Sequence, residues 1–100
     1  MRASFRVEIT EDAEADLRAH RDLIAQDKPK AAAKWMSAML KAARSLRIMP
    51  HRYEVIPESE EIGIERRHCI RGNYRIIYRY QGRTCRIITV IHSRQNLVNQ

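Results

Sequence analysis

The chain has 100 residues, 44% of them apolar, with a mean hydropathy of −0.56, which suits one soluble globular domain over residues 1–100 and argues against disorder. No run of about 18 apolar residues occurs, and residues 1–5 lead into no apolar signal segment, so the expected location is cytoplasmic with no membrane partner. The formal net charge of +7, from 19 Lys and Arg against 12 Asp and Glu, points to an anionic partner, either nucleic acid or an acidic protein.

Phe5 to Ile9 alternates apolar and polar residues and predicts a short first strand. Thr10 is a helix N-cap, and Glu11, Asp12 and Glu14 complement the positive end of the helix that follows. Ala13, Leu17, His20 and Ile24 recur at helical spacing, and His20 is expected at the helix surface or boundary. Asp27-Lys28-Pro29 breaks the pattern, with Pro29 placed to open a second helix. Ala32, Trp35, Met36, Met39, Leu40, Ala43 and Leu46 then form an apolar stripe. Trp35 and the methionines are more often core than a binding surface at such spacing. The short connection predicts an antiparallel helical hairpin.

Residues 50–63 read as an irregular, solvated loop marked by Pro57, Gly63 and the acidic group Glu58, Glu60 and Glu61. Glu65 to Ile70 predicts a strand, turned at Arg71-Gly72-Asn73 into the next. Gly72 to Arg94 then reads as two strands rich in β-branched and aromatic residues, interrupted at Gln81-Gly82-Arg83. Alternation sets Tyr74, Ile76, Tyr78 and Tyr80 on one face and Arg75, Ile77 and Arg79 on the other. The first face carries a core, and the second offers guanidinium groups to a partner. Ser93 to Gln100 is a polar tail, ordered at most near Leu97. The expected fold is α+β: an N-terminal strand, an antiparallel helical hairpin, then a three-stranded, mainly antiparallel sheet.

Chemistry is sparse outside the arginines. Cys69 and Cys85 have no ligand spacing and are expected to be reduced, structural thiols, so no metal is expected. The glycines are isolated turn residues and make no phosphate loop, and no cofactor is expected. From Arg66 to Arg94 the chain carries eight arginines, no lysine and no acidic residue. Arginine is the residue of forked phosphate and carboxylate recognition. Arg75, His92 and Arg94, with His68 and Arg66 on the strand before, offer the acid, base and positive charge that phosphodiester cleavage needs. The same groups equally make non-catalytic contacts to phosphates or carboxylates, and they converge only if the strand register allows it.

GNYRIIYRY (72–80) followed by TVIHSR (89–94) resembles the RelE/ParE superfamily of bacterial type II toxins. The hairpin connection DKPKAA (27–32) and the His92 to Arg94 signature are similar to its ParE branch, and the resemblance spans Phe5 to about Leu97. It implies a cognate antitoxin that wraps the toxin, here expected at Leu17, Trp35, Met39 and Arg79, with operator DNA bound only through the antitoxin complex. It also implies a toxin that inhibits DNA gyrase by contact, through Arg75, His92 and Arg94, rather than an enzyme. Arg75→Ala and Arg94→Ala are accordingly expected to reduce toxicity with the fold intact. The RelE branch implies a different outcome, ribosome-dependent mRNA cleavage, with His68, Arg75, His92 and Arg94 as its catalytic set. Against that branch, its lysines before the strand arginine are absent and no tyrosine follows Tyr80. A third alternative is a non-toxic homologue that only binds an antitoxin.

Overall fold

Thr10 sets the entry to the first helix by capping it: its side chain accepts a hydrogen bond from the Ala13 amide at 3.2 Å, worth about 1 kcal/mol. The computed structural model describes residues 4–95, so the expectation for Leu97 lies outside the described residues. Its elements are β1 (Arg6–Ile9), α1 (Glu11–Ala25), α2 (Pro29–Ser45), a 3-10 turn (Pro50–Arg52), α3 (Ser59–Ile62), β2 (Arg67–Arg71), β3 (Tyr74–Gln81) and β4 (Thr84–His92). Pro29 is the first residue of α2, where its missing N–H costs nothing. Both β-hairpins have two-residue loops, Gly72-Asn73 and Gly82-Arg83. In each, only the glycine has a positive φ, the pattern of a type II′ turn that matches strand twist.

The fold is α+β as expected, but the sheet is larger than the sequence suggested. Its strand order is β1-β4-β3-β2, with β1 parallel to β4 and the other pairs antiparallel. The first strand is therefore the fourth member of one mixed sheet. A parallel partner requires a long crossover, and the helical hairpin lies within the segment that separates β1 from β4. Periodicity within β1 carries no information about which strand it joins.

The helices cover one face of the sheet. Ala13, Leu17, Met39, Ala42, Ala43 and Leu46 pack there against Cys69, Ile76, Tyr78, Cys85, Ile87 and Val90. Most of segment 50–63 is exposed, as predicted, but it is anchored to the sheet, and Pro50, Ile56 and Glu58 are buried. It clasps the β2 edge: the Tyr78 hydroxyl donates to the Pro50 carbonyl, Val55 bridges Arg67, and the Ile56 amide donates to the Arg66 carbonyl at 2.9 Å. Ile56 then reaches the far face and closes a small second core with Ile77 and Ile91.

A β-bulge in β4 decides which residues share a face. The β3–β4 register steps from Ile77↔Thr89 to Tyr78↔Ile87, leaving Ile88 as the extra residue. Below the bulge Cys85 and Ile87 point to the helices; above it Val90 does. Helix α1 pins this irregularity. The Thr10 hydroxyl donates to the Ile87 carbonyl at 2.8 Å, and Asp16 Oδ2 accepts from the Thr89 hydroxyl at 2.5 Å and the Val90 amide at 3.1 Å.

Cys69 and Cys85 are both buried free thiols on strands separated by β3. They are two strand spacings apart across the sheet, about 10 Å, and their β3 partners Ile76 and Tyr80 set them further apart along it, beyond disulfide reach. Burial pushes the Cys85 thiol up to about 11.

Candidate functional site

The sheet brings the expected site residues to two different faces. Across β3 and β4, Tyr74 is the partner of His92 while Arg75 is the partner of Ile91. Tyr74 and His92 lie on the helix side, where their rings meet edge-on with centroids 5.3 Å apart. Tyr74 also meets His20 at 5.0 Å and Trp35 at 4.9 Å. His20 Nε2 is 2.9 Å from the Val90 carbonyl oxygen and donates to it in the matching tautomer. His20 is thus a boundary residue, as expected, but it belongs to a four-ring cluster at the end of the sheet. Arg94 is exposed, and its amide donates to His92 Nδ1 at 3.2 Å. His92 and Arg94 form one neighbourhood, and Arg75 is not in it.

Arg75 is 7% exposed and points to the face opposite the helices. Its Nη1 and Nη2 donate to Glu58 Oε1 and Oε2 at 3.2 and 2.6 Å, a two-pronged ion pair. Glu58 is itself 5% exposed, so this carboxylate is not the solvated loop charge that composition suggested. Arg75 is expected to be offered to a partner, but in this structure it is buried and paired, for a physical reason. A buried guanidinium needs a carboxylate, and the clasp supplies one. The Arg75 side chain fastens the clasp to the sheet.

His68 stands on the same face, opposite Ile77, and is 5% exposed. Its Nε2 lies 2.9 Å from Glu54 Oε1, while its Nδ1 is buried without a hydrogen-bond partner. Both ring nitrogens are thereby withheld from a substrate. The four residues of the nuclease alternative are therefore split: His68 and Arg75 beneath the clasp, His92 and Arg94 at the ring cluster.

Of the residues expected to meet an antitoxin, Leu17 and Met39 are closed into the helix-side core. Their position on the helical stripe, which sequence shows, is the same whether the stripe meets a partner or the sheet. Trp35 is partly buried and keeps an accessible side, and its indole N–H has no hydrogen-bond partner among the described residues. Arg79 is half-buried on the opposite face. Sequence reading missed Glu58 and Tyr74. For Tyr74 a signal existed, its turn position before the strand arginine, but its pairing with His92 depends on the bulge. For Glu58 no local pattern distinguishes it from Glu60 and Glu61.

This arrangement can bind and position, through exposed cations and a ring cluster, more readily than it can transfer a proton to and from one phosphate. The profile of the ParE toxin of the type II toxin–antitoxin system parDE matches residues 7–97. The chain belongs to the ParE toxin family. Solved structures share its fold. A chain of the chromosomal ParDE toxin–antitoxin system from P. aeruginosa is 20% identical, with a TM-score of 0.73 over 90% of this chain and 97% of its own. A chain of the RelBE2 toxin–antitoxin complex from Mycobacterium tuberculosis is 25% identical, with a TM-score of 0.64 over 90% of this chain and 92% of its own. No curated protein sequence matches the chain.

In this ParE-family chain the 72–94 segment that carries the resemblance supplies β3, β4 and the turn after β4. Among the described residues no helix is long and apolar enough to cross a membrane. None of their His, Cys, Asp and Glu side chains gather in a group of three fit for a metal ion.

Proposed function

We propose that this ParE-family toxin arrests growth by binding DNA gyrase and trapping its cleaved-DNA complex, without catalysing a reaction of its own. The observation that carries the reading is the commitment of Arg75. The strand arginine that a RelE-type nuclease would place on the scissile phosphate is locked to Glu58 and faces away from His92. What stays accessible is His92, Arg94 and the edge of the Tyr74 ring cluster, which suit contact with a large partner. Target contact is accordingly assigned to His92 and Arg94, and Arg75 is assigned to the fold.

The toxin is neutralised, in this reading, by a cognate antitoxin that docks over the helical hairpin with Trp35 at its centre. The fold neighbours come from toxin–antitoxin complexes, which supports a protein partner of this kind. Trp35 has the bulk of an interface anchor and is only partly buried, with its indole N–H turned away from solvent, so it would meet a partner through its ring. Leu17 and Met39 take no part, and Arg79 on the other face is not retained in this surface. An acidic antitoxin would approach a chain of net charge +7 quickly, an effect on association rate more than on affinity.

The test is a supercoiling assay with purified toxin and gyrase. Loss of supercoiling with accumulation of cleaved DNA is expected, and both should disappear on addition of the antitoxin. Undiminished supercoiling at excess toxin, with cleavage of ribosome-bound mRNA seen by primer extension after induction, would replace this reading with the nuclease one.

A further inference from the structure

The clasp covers only one half of the sheet face that turns away from the helices. On the other half the strands lie open, and arginines stand among their outward positions. Arg79 on β3 is the direct cross-strand partner of Arg86 on β4, and Arg86 is the partner of Glu8 on β1. Arg66 immediately precedes β2, whose first residue Arg67 pairs with Tyr78, so Arg66 falls beside Arg79. Three guanidinium groups therefore stand in one row across three neighbouring strands, about 5 Å per step. Gln81, Thr84 and Arg6 line the next row. Two adjoining depressions, of about 350 and 180 Å³, share Arg79 and Gln81 along this row.

Like charges placed directly opposite each other on a sheet destabilise it. The neutralisation present is partial. Arg86 meets Glu8 at 3.2 Å, whereas Arg79 donates to the neutral Gln81 at 2.6 Å and Arg66 to the Glu65 carbonyl at 3.3 Å. Burial, and after it the Arg79 charge, lower the pKa of Arg66. Such a row is kept at a cost in the free protein, and a bound polyanion offsets that cost.

We propose that this arginine trough is a sequence-independent binding surface for the phosphate backbone of duplex DNA. Two features of the trough favour that occupant. A protein segment bound there would need an apolar anchor in a central pocket, but the exposed apolar residue at the trough, Ile64, sits at one end. Single-stranded nucleic acid is held largely by stacking bases on aromatic rings. The one ring present, Tyr80, is already engaged edge-on by Phe5 and overlaid by Arg67. A duplex backbone needs neither an anchor nor a free ring, only guanidinium forks and dipoles. The inference goes beyond gyrase inhibition and does not depend on it, because it stands on the trough alone.

Fluorescence anisotropy of a labelled 20-base-pair duplex with the purified chain tests it. Three neutralised phosphates give a log–log salt slope of about −2.7, or roughly a 40-fold loss of affinity between 50 and 200 mM salt. Arg79→Gln and Arg86→Gln should each reduce the slope by about one, and the Arg66/Arg79/Arg86→Gln triple variant should abolish binding. Arg18→Gln, on the exposed side of α1, should leave it unchanged. The triple variant should melt at or above the wild type, since the like-charge contacts are gone, which separates lost binding from lost folding. No binding at 50 mM salt, full binding by the triple variant, or tighter binding to oligo-dT, duplex RNA or a poly-glutamate peptide than to duplex DNA would each overturn the proposal. So would a lower melting temperature of the triple variant. Supercoiling is read separately, so inhibition of gyrase without duplex binding refutes the trough and leaves the gyrase reading standing.

Discussion

The two faces of the sheet are built on opposite principles. The helix side is closed by apolar packing, with Leu17, Met39 and Leu46 against Ile76, Tyr78 and Ile87. The far side is divided: one half is held shut by a buried ion pair, and the other half is left open as a row of cations. Area burial stabilises the first face whatever the detailed partners. The second combines a small apolar cluster, Ile56 with Ile77 and Ile91, with a buried carboxylate that must reach a guanidinium. The lesson is that an arginine in a strand reads the same in sequence whether it is a fastener or a contact. Arg75 and Arg79 share a strand and a face, yet Arg75 is locked and Arg79 is available.

The largest expected effect breaks the fastener. Arg75→Ala removes the two-pronged guanidinium contact of buried Glu58 and should cost about 3–5 kcal/mol in denaturant unfolding. That revises the expectation that this variant keeps its fold. Asp16→Ala removes the acceptor shared by Thr89 and Val90 at the bulge, and should cost about 1–3 kcal/mol by the same measurement. The bulge sets the parity of His92, so the Tyr74–His92 ring contact should loosen too, seen as altered His92 ring chemical shifts.

The third prediction concerns pH. Burial favours the neutral Cys85 thiol in the folded chain, so its pKa is raised above that of the unfolded chain. Stability from this group is full below about pH 9 and is lost as pH rises towards about 11, on the order of 1–2 kcal/mol. Urea melts of wild type and Cys85→Ala across that window should show a flatter profile for the variant. The smallest effect is Thr10→Ala, about 1 kcal/mol from the lost cap and carbonyl contacts. It weakens the helix side without touching the far side, and the clasp ion pair should be unaffected.

Much of the helical half was legible because its signals are local. Thr10, Pro29 and the stripe from Ala32 to Leu46 mark starts and faces within a few residues. The turn glycines and strand composition were legible for the same reason. What sequence could not show were relations between distant segments. The parallel docking of β1, the extra residue at Ile88 and the burial of Glu58 each depend on a partner in another element. Whether Arg75 and His92 share a face was open in the sequence, and one extra residue in β4 decides it by putting Tyr74, not Arg75, on the His92 face.

The measurement that bears most directly on this account is growth arrest by a double variant, Arg75→Met with Glu58→Leu. Replacing both members of a buried ion pair by apolar residues of similar size is often neutral or stabilising. If Arg75 serves the fold, the double variant melts near the wild-type temperature and still arrests growth on induction without antitoxin, while Arg75→Ala alone does neither. A double variant that folds fully and permits normal growth would contradict the account, and would return Arg75 to the surface that meets the target.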